Sequence, residues 1–202
     1  MNASDKLAEI FARFPGIGPR QARRFVYYLL SSSPSFRAEL AKTITELTKE
    51  IRECVSCGRY FSNGKASECR VCSDKSRDTQ ALMIVERDVD LISIEQSGAF
   101  KGAYAILGGS IPFNAEKVPV YIRLNRIQNR IKTLDGLNEI ILAFSATPDG
   151  DSTARYVKEY IKKTFPDVSY KITTLGRGLS TGSELEYADR DTIRSALERR
   201  VT

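Results

Sequence analysis

The chain has 202 residues, of which 42% are hydrophobic and 28% charged, and a net charge of +6; this is enough for an ordinary domain with small satellites and excludes a disordered chain. It contains no histidine, which removes Ser-His-Asp and Cys-His catalysis, imidazole bases and His-ligated metals. Apolar runs such as Ile140–Phe144 are too short to span a membrane, and Met1–Asp5 opens no basic-then-apolar leader, so a cytoplasmic location is expected.

Residues 5–14 predict a short helix with Leu7, Ile10, Phe11 and Phe14 on one face. Pro15-Gly16-Ile17-Gly18-Pro19 makes a tight hairpin, and a second helix starts near Arg20 with Ala22, Phe25, Val26, Leu29 and Leu30 inward. Ser31-Ser32-Ser33-Pro34 ends it. A third helix from Ser35 carries Phe36, Leu40, Ile44, Leu47 and Ile51 at helical spacing and delivers the chain to Cys54. Residues 54–78 are polar, hold all four cysteines and lack periodicity. Beyond them, Ala81–Val85, Tyr104–Leu107, Ile140–Phe144 and Ser169–Leu175 read as strands. Helices are expected through Ile122–Leu134, over 152–165 and from Asp191 to Arg200, with a turn at Thr147-Pro148-Asp149-Gly150. Alternation of this kind predicts parallel βαβ units.

The basic excess is uneven. Residues 1–53 hold nine Lys/Arg against six Asp/Glu, residues 54–78 five against three, and the remaining 124 residues seventeen against sixteen. A polyanion-facing N-terminal end is expected. At the hairpin, Gly16 and Gly18 allow close backbone approach, the next helix points its free N–H groups into the turn, and Arg20, Arg23 and Arg24 lie beside them. This suits a sequence-independent grip on DNA phosphates; a packing corner with solvated arginines is the plainer reading.

Cys54-x-x-Cys57 and Cys69-x-x-Cys72, with eleven residues between the pairs, fit one tetrahedral Zn²⁺ per chain. Four cysteine ligands leave no position for water, so the zinc would be structural. Disulfides in an oxidising compartment are one rival and a redox C-x-x-C a second, but two pairs at this spacing point to metal. Gly58 and Gly64-Lys65-Ala66 mimic a P-loop, but the spacing and the missing Ser/Thr exclude one. Glu86 follows one predicted strand; Asp149 and Asp151 follow another. Along a shared strand edge they could hold Mg²⁺ against a phosphate, or they are ordinary turn acids, with Asp151 capping a helix from Ser152.

Together these motifs resemble the bacterial RecR family. The residues that carry the likeness are Pro15–Arg20 with Ala22 and Arg24, the cysteine pairs, Val85-Glu86, Ala105–Gly109, Arg177-Gly178-Leu179 on to Gly182, and Leu185–Asp189. The resemblance implies an α+β multidomain chain: a helix-hairpin-helix at 1–53, a four-cysteine zinc knuckle (a zinc finger) at 54–78, a Toprim domain with a parallel sheet and flanking helices at 79–175, and a C-terminal oligomerisation segment at 176–202. It implies a nucleoid-associated, non-catalytic clamp on single-stranded, gapped or double-stranded DNA, built as a ring-shaped homo-oligomer, a tetramer. It further implies action with RecO and RecF in loading RecA, and no membrane. Catalytic Toprim domains hold Mg²⁺ with a Glu and an Asp-x-Asp, which Glu86, Asp149 and Asp151 match; the resemblance instead assigns these acids to docking RecO. A Mg-dependent nuclease or nucleotidyl-transfer enzyme is the alternative. Two stretches depart from the family. Ser110–Asn114 lacks its second glycine-rich loop, and Ser145–Thr153 carries aspartates where Glu-Gly-Glu is usual, one methylene shorter on each arm.

Overall fold

The computed structural model describes residues 1–198 apart from 63, 169, 177, 180, 181 and 183, and falls into two compact units, Met1–Ile51 and Arg52–Thr202. The first unit is helical. α1 (Ala3–Phe11) starts at Asn2, whose side chain accepts from the Asp5 N–H at 2.9 Å. α2 (Pro19–Ser31) starts at Gly18 with Pro19 in its first turn, where a missing N–H costs nothing. α3 (Pro34–Glu50) is capped by Ser33, which accepts from the Phe36 N–H at 3.2 Å. Phe11 packs edge-on against Phe14 and Phe25, at 5.8 and 5.7 Å, over the buried Ala22 and Val26. The expected stripe along α3 forms but is not covered: Ile44 and Leu47 are more than half exposed.

The helix expected to run into Cys54 ends at Glu50. Ile51–Glu53 is instead a short strand, β1, paired with β2 (Tyr60–Ser62). A four-residue helix, α4 (Arg70–Ser73), carries the last cysteine.

The α/β body follows as β3 (Asp78–Val85), α5 (Asp88–Ser97), β4 (Gly102–Ile106), α6 (Leu124–Thr133), β5 (Glu139–Ala143), α7 (Pro148–Thr164), β6 (Lys171–Thr174) and α8 (Arg190–Glu198). Its sheet runs β4-β3-β5-β6 with every pairing parallel. Strand residues alternate between two cores. Leu82 and Ile84 join Ala105, Ile140 and Leu142 under α6 and α7, against Ile127, Ile131, Val157 and Ile161. Met83 and Val85 join Tyr104 and Ile106 on the other face, against Leu91 of α5 and Cys54, Cys57 and Cys69. The cysteine knuckle is thus half of a sheet core.

Two elements differ from expectation. α7 begins at Pro148, where a turn was read, because Thr147 caps it by accepting from the Gly150 N–H at 3.1 Å. Asp149 and Asp151 therefore lie inside its first turn, and Asp151 is not the cap. α5 lies in a stretch where no element is expected. Asp90 accepts from the Arg87 N–H at its start, and Gly98, at φ 66°, closes it. Ser169 of the expected last strand, Arg177 of the family motif, and Arg199 and Arg200 of the expected last helix lie outside the described residues.

A buried-edge network fixes β4 to α5. Arg77 meets Glu95 through two hydrogen bonds, at 2.7 and 3.0 Å, and stacks on Tyr104, whose hydroxyl donates to Glu95 at 2.8 Å. Burial, then the bond to Glu95, pushes the Tyr104 phenol up. Desolvation opposes ionisation of Glu95, but the bonds from Arg77 and Tyr104 prevail and hold its carboxyl below the usual range.

Candidate metal centre and nucleic-acid interface

All four cysteine Sγ atoms lie within 4.8 Å of one another, with Cys54, Cys57 and Cys69 buried and Cys72 half-buried. None is disulfide-bonded. The Cys57 and Cys69 sulfurs are 3.7 Å apart. Two thiolates each about 2.3 Å from a tetrahedral centre would be about 3.8 Å apart, so the geometry fits a structural metal site.

Backbone turns hold the set. Gly58 N–H donates to Cys54 O at 3.0 Å, Cys72 N–H to Cys69 O at 3.0 Å, and Cys69 N–H to Cys54 Sγ at 3.3 Å. Gly58 has φ +81°, and a Cβ there would lie 2.7 Å from Arg126 Cδ. Hydrogen bonds from Cys57, then Cys69 and Cys72, hold the Cys54 thiol well below the usual range. Cys72 is pushed up by its bonds to Cys54, Cys57 and Cys69. A dication relieves this conflict by taking all four as thiolates.

Such a centre would leave a local charge of about −2, and an arginine row meets it. Arg123 donates to Gly58 O at 3.0 Å, Arg126 to Cys54 O at 2.9 Å and Val55 O at 3.2 Å, and Arg130 reaches Cys72 Sγ at 3.8 Å. Glu53 pairs with Arg123 at 2.7 Å and Arg126 at 3.0 Å. Sequence reading gave this stretch only its apolar side, Ile127 and Ile131; the cationic side was visible as Arg123, Arg126 and Arg130 at spacings of three and four. Ile106 N–H donates to Cys57 O at 2.8 Å, which ties the knuckle to the end of β4.

In the helical unit, Gly16 takes φ 75° and Ile17 N–H closes the hairpin onto Phe14 O at 3.0 Å. Gly16 and Gly18 are exposed, and a Cβ on either would meet nothing within 4 Å. Gly18 offers α2 no side-chain cap. Arg20, Arg23 and Arg24 are all exposed at that end, with Arg24 reaching Gln21 at 3.4 Å.

The three carboxylates separate. Asp149 and Asp151 share the first turn of α7, where Asp149 accepts from the Phe113 N–H at 2.9 Å and Asp151 is exposed. Glu86 was expected on the same open edge but is only 5% exposed. Val85 pairs with Ala143, so the residues beyond them meet. Glu86 accepts from the Ser145 N–H at 3.0 Å and the Ser145 hydroxyl at 3.1 Å. Among the described residues the cysteines form the one cluster able to hold a metal; the carboxylates do not converge into a second. Among the described residues, no helix is long and apolar enough to cross a membrane.

Comparison with known proteins agrees with this anatomy. The RecR helix-hairpin-helix family matches residues 4–48, the Toprim domain family 80–173 and the RecR C-terminal family 178–201. The recombination protein RecR of Cereibacter sphaeroides is 37% identical over 196 residues, covering 97% of this chain and 94% of that protein. The Ruegeria pomeroyi protein of the same name is 36% identical over the same shares. That of Bifidobacterium longum subsp. infantis is 35% identical over 195 residues, 96% of this chain and 94% of that one.

Proposed function

The chain belongs to the RecR family of recombination proteins, and we propose that it serves recombinational repair as a DNA clamp and adaptor without chemistry of its own. The carrying observation is the hairpin. Exposed Gly16 and Gly18 lead into an uncapped helix N-terminus flanked by Arg20, Arg23 and Arg24. The free N–H groups and the helix dipole suit a phosphate, and the arginines add charge without reading bases. Arg20→Ala with Arg24→Ala should weaken binding to all DNA sequences alike and flatten log Kd against log salt by about one to two units. Wild-type affinity and slope in that variant would reduce the hairpin to a packing corner.

The metal in this reading is Zn²⁺, held by Cys54, Cys57, Cys69 and Cys72. Its bound chemistry is that of a cross-link, since four thiolates close the shell. The uncovered stripe of α3 supports a contact between copies of the chain, and the assembly in this reading is a ring tetramer.

Asp149 and Asp151 are the docking acids for a basic, RecO-like partner, with Glu86 acting from beneath through the Ser145 loop. A RecF-like protein and loading of RecA on gapped DNA complete the proposal. The engaged Glu86 carboxylate counts against a Mg-dependent transfer enzyme, which would need that group facing the metal. Asp149→Asn with Asp151→Asn should leave DNA affinity unchanged or slightly higher and weaken the partner complex, most at low salt. Cleavage of gapped DNA in Mg²⁺ that disappears in this variant would establish the enzyme instead.

A further inference from the structure

Cations are unevenly placed within the second unit. Residues 52–78 hold six Lys/Arg against four Asp/Glu, and residues 123–133 four against none; the rest of 79–202 holds thirteen against sixteen. The fold brings the two basic segments together, because Arg123, Arg126 and Arg130 all contact the knuckle. With the charge of about −2 at a metal-loaded centre counted, the two segments together carry about +4, against −3 for the rest of 79–202.

Two tyrosines near Arg123 stand open. Tyr60 of β2 is 54% exposed, with the Arg123 guanidinium 5.6 Å from its ring centroid and donating to its hydroxyl at 3.3 Å. Tyr121 is 52% exposed. Its ring covers Gly109, where an added Cβ would lie 3.0 Å from it, and its hydroxyl donates to Ser110 O at 2.9 Å. Arg123, which touches Tyr60 and follows Tyr121 by two residues, has its Nε 3.4 Å from the place a Cβ would take on Gly108, and the Tyr121 carbonyl oxygen lies 2.3 Å from the same place. Each ring is pinned on one side and at its hydroxyl, and exposed elsewhere. Arg123 also lines a groove of about 580 Å³ together with Glu53, Val55, Asn125, Arg126 and Asn129. The acids here are already engaged: Glu53 by the two arginines, and Asp88 by the Tyr60 N–H at 2.7 Å.

We propose that this surface of the knuckle and α6 is a second nucleic-acid site, specific for single strands, in which bases stack on Tyr60 and Tyr121 and the backbone follows the groove past Arg126 and Asn129. Aromatic faces interleaved with arginines are the chemistry of unpaired bases, since each base offers a π-face and the cations answer its phosphate. A duplex keeps its base faces stacked inside and cannot use the rings. Immobilised rings also lose little freedom on binding. The site goes beyond the hairpin reading and lies in the other unit, so either can fail alone.

The chain has no tryptophan, so Tyr121→Trp installs a single reporter that keeps a stacking face. Full-length, metal-loaded Y121W should lose emission on titration with oligothymidylate and keep it with a duplex of equal length. It should do so equally when combined with Arg20→Ala and Arg24→Ala. Tyr60→Leu with Tyr121→Leu should lower single-strand affinity about 10- to 100-fold while duplex affinity holds within about twofold. Unchanged emission at saturating oligothymidylate overturns the site. So does a leucine pair that binds single strands as wild type, loses single strand and duplex alike, or fails only toward a RecO-like protein, which would make this a protein-docking face. Metal content and melting temperature are compared throughout; if the leucine pair misfolds, the tryptophan titration still decides.

Discussion

Cys57→Ser protein is expected to retain little zinc, against about one equivalent in wild type, and to melt about 8–16 °C lower. The size of the effect comes from where the cluster sits. Cys54, Cys57 and Cys69 are essentially unexposed and share a core with Met83, Val85, Tyr104 and Ile106. The knuckle itself offers two three-residue strands and a four-residue helix, too little regular structure to stand without a cross-link. Serine cannot replace a soft thiolate, and three ligands leave the ion exchangeable. With the metal gone, the remaining thiols and the arginine row lose the charge that organised them, and the Cys57 carbonyl loses its fixed position at the end of β4. Loss of a structural metal belongs to the few single changes that cost about 4 kcal/mol or more, and at this chain length about 2–4 °C accompanies each kcal/mol. Elemental analysis and calorimetry check both halves. A strong chelator should bring wild type to the same melting temperature. Metal-free wild-type protein, or a serine variant that melts with it, would remove the cluster from the stability of the sheet.

What could be read beforehand follows how local each signal is. Cysteine spacing is local, and so are the apolar runs 81–85 and 140–144 that became β3 and β5. α5 escaped because its apolar residues, Val89, Leu91, Ile92 and Ile94, are spread around the helix instead of forming one stripe, and only Leu91 is buried. Its caps were legible, with acids at 88 and 90 and glycine at 98. Thr147-Pro148-Asp149 was legible too, as a cap, a first-turn proline and an N-terminal acid, but Pro-Asp-Gly reads equally as a turn until the helix is seen. The arginines at 123, 126 and 130 were legible as a spacing, but their contact with the knuckle, like the burial of Glu86, had no local signal. Both depend on what another segment places opposite: the knuckle in one case, Ser145 in the other.

That second dependence makes Gly150 a sensitive position outside the metal centre. Its conformation is ordinary, so the constraint is steric. A Cβ there would sit 1.9 Å from Ser145 O, 2.9 Å from its carbonyl carbon and 3.2 Å from its nitrogen, all backbone atoms with no rotamer to escape by. Gly150→Ala therefore forces the Ser145 loop off the first turn of α7. Overpacking alone costs about 1–3 kcal/mol. Moving Ser145 also withdraws both donors from Glu86, whose carboxylate is 5% exposed and would be left buried without partners; this adds about 1–3 kcal/mol. A melting temperature about 5–20 °C lower is expected, with zinc content unchanged because the knuckle lies on the other face of the sheet. Ser145→Ala is the graded comparison. It removes the hydroxyl at 3.1 Å but keeps the N–H at 3.0 Å, so it should cost only about 1 kcal/mol. If Asp149 and Asp151 dock a basic partner, Gly150→Ala should also weaken that complex at temperatures where the protein is still folded, because the turn that presents them has moved, while hairpin binding to duplex DNA persists. An alanine variant with wild-type melting and wild-type partner affinity would show that the loop relaxes freely, and that Glu86 and Ser145 do not set the position of the acidic turn.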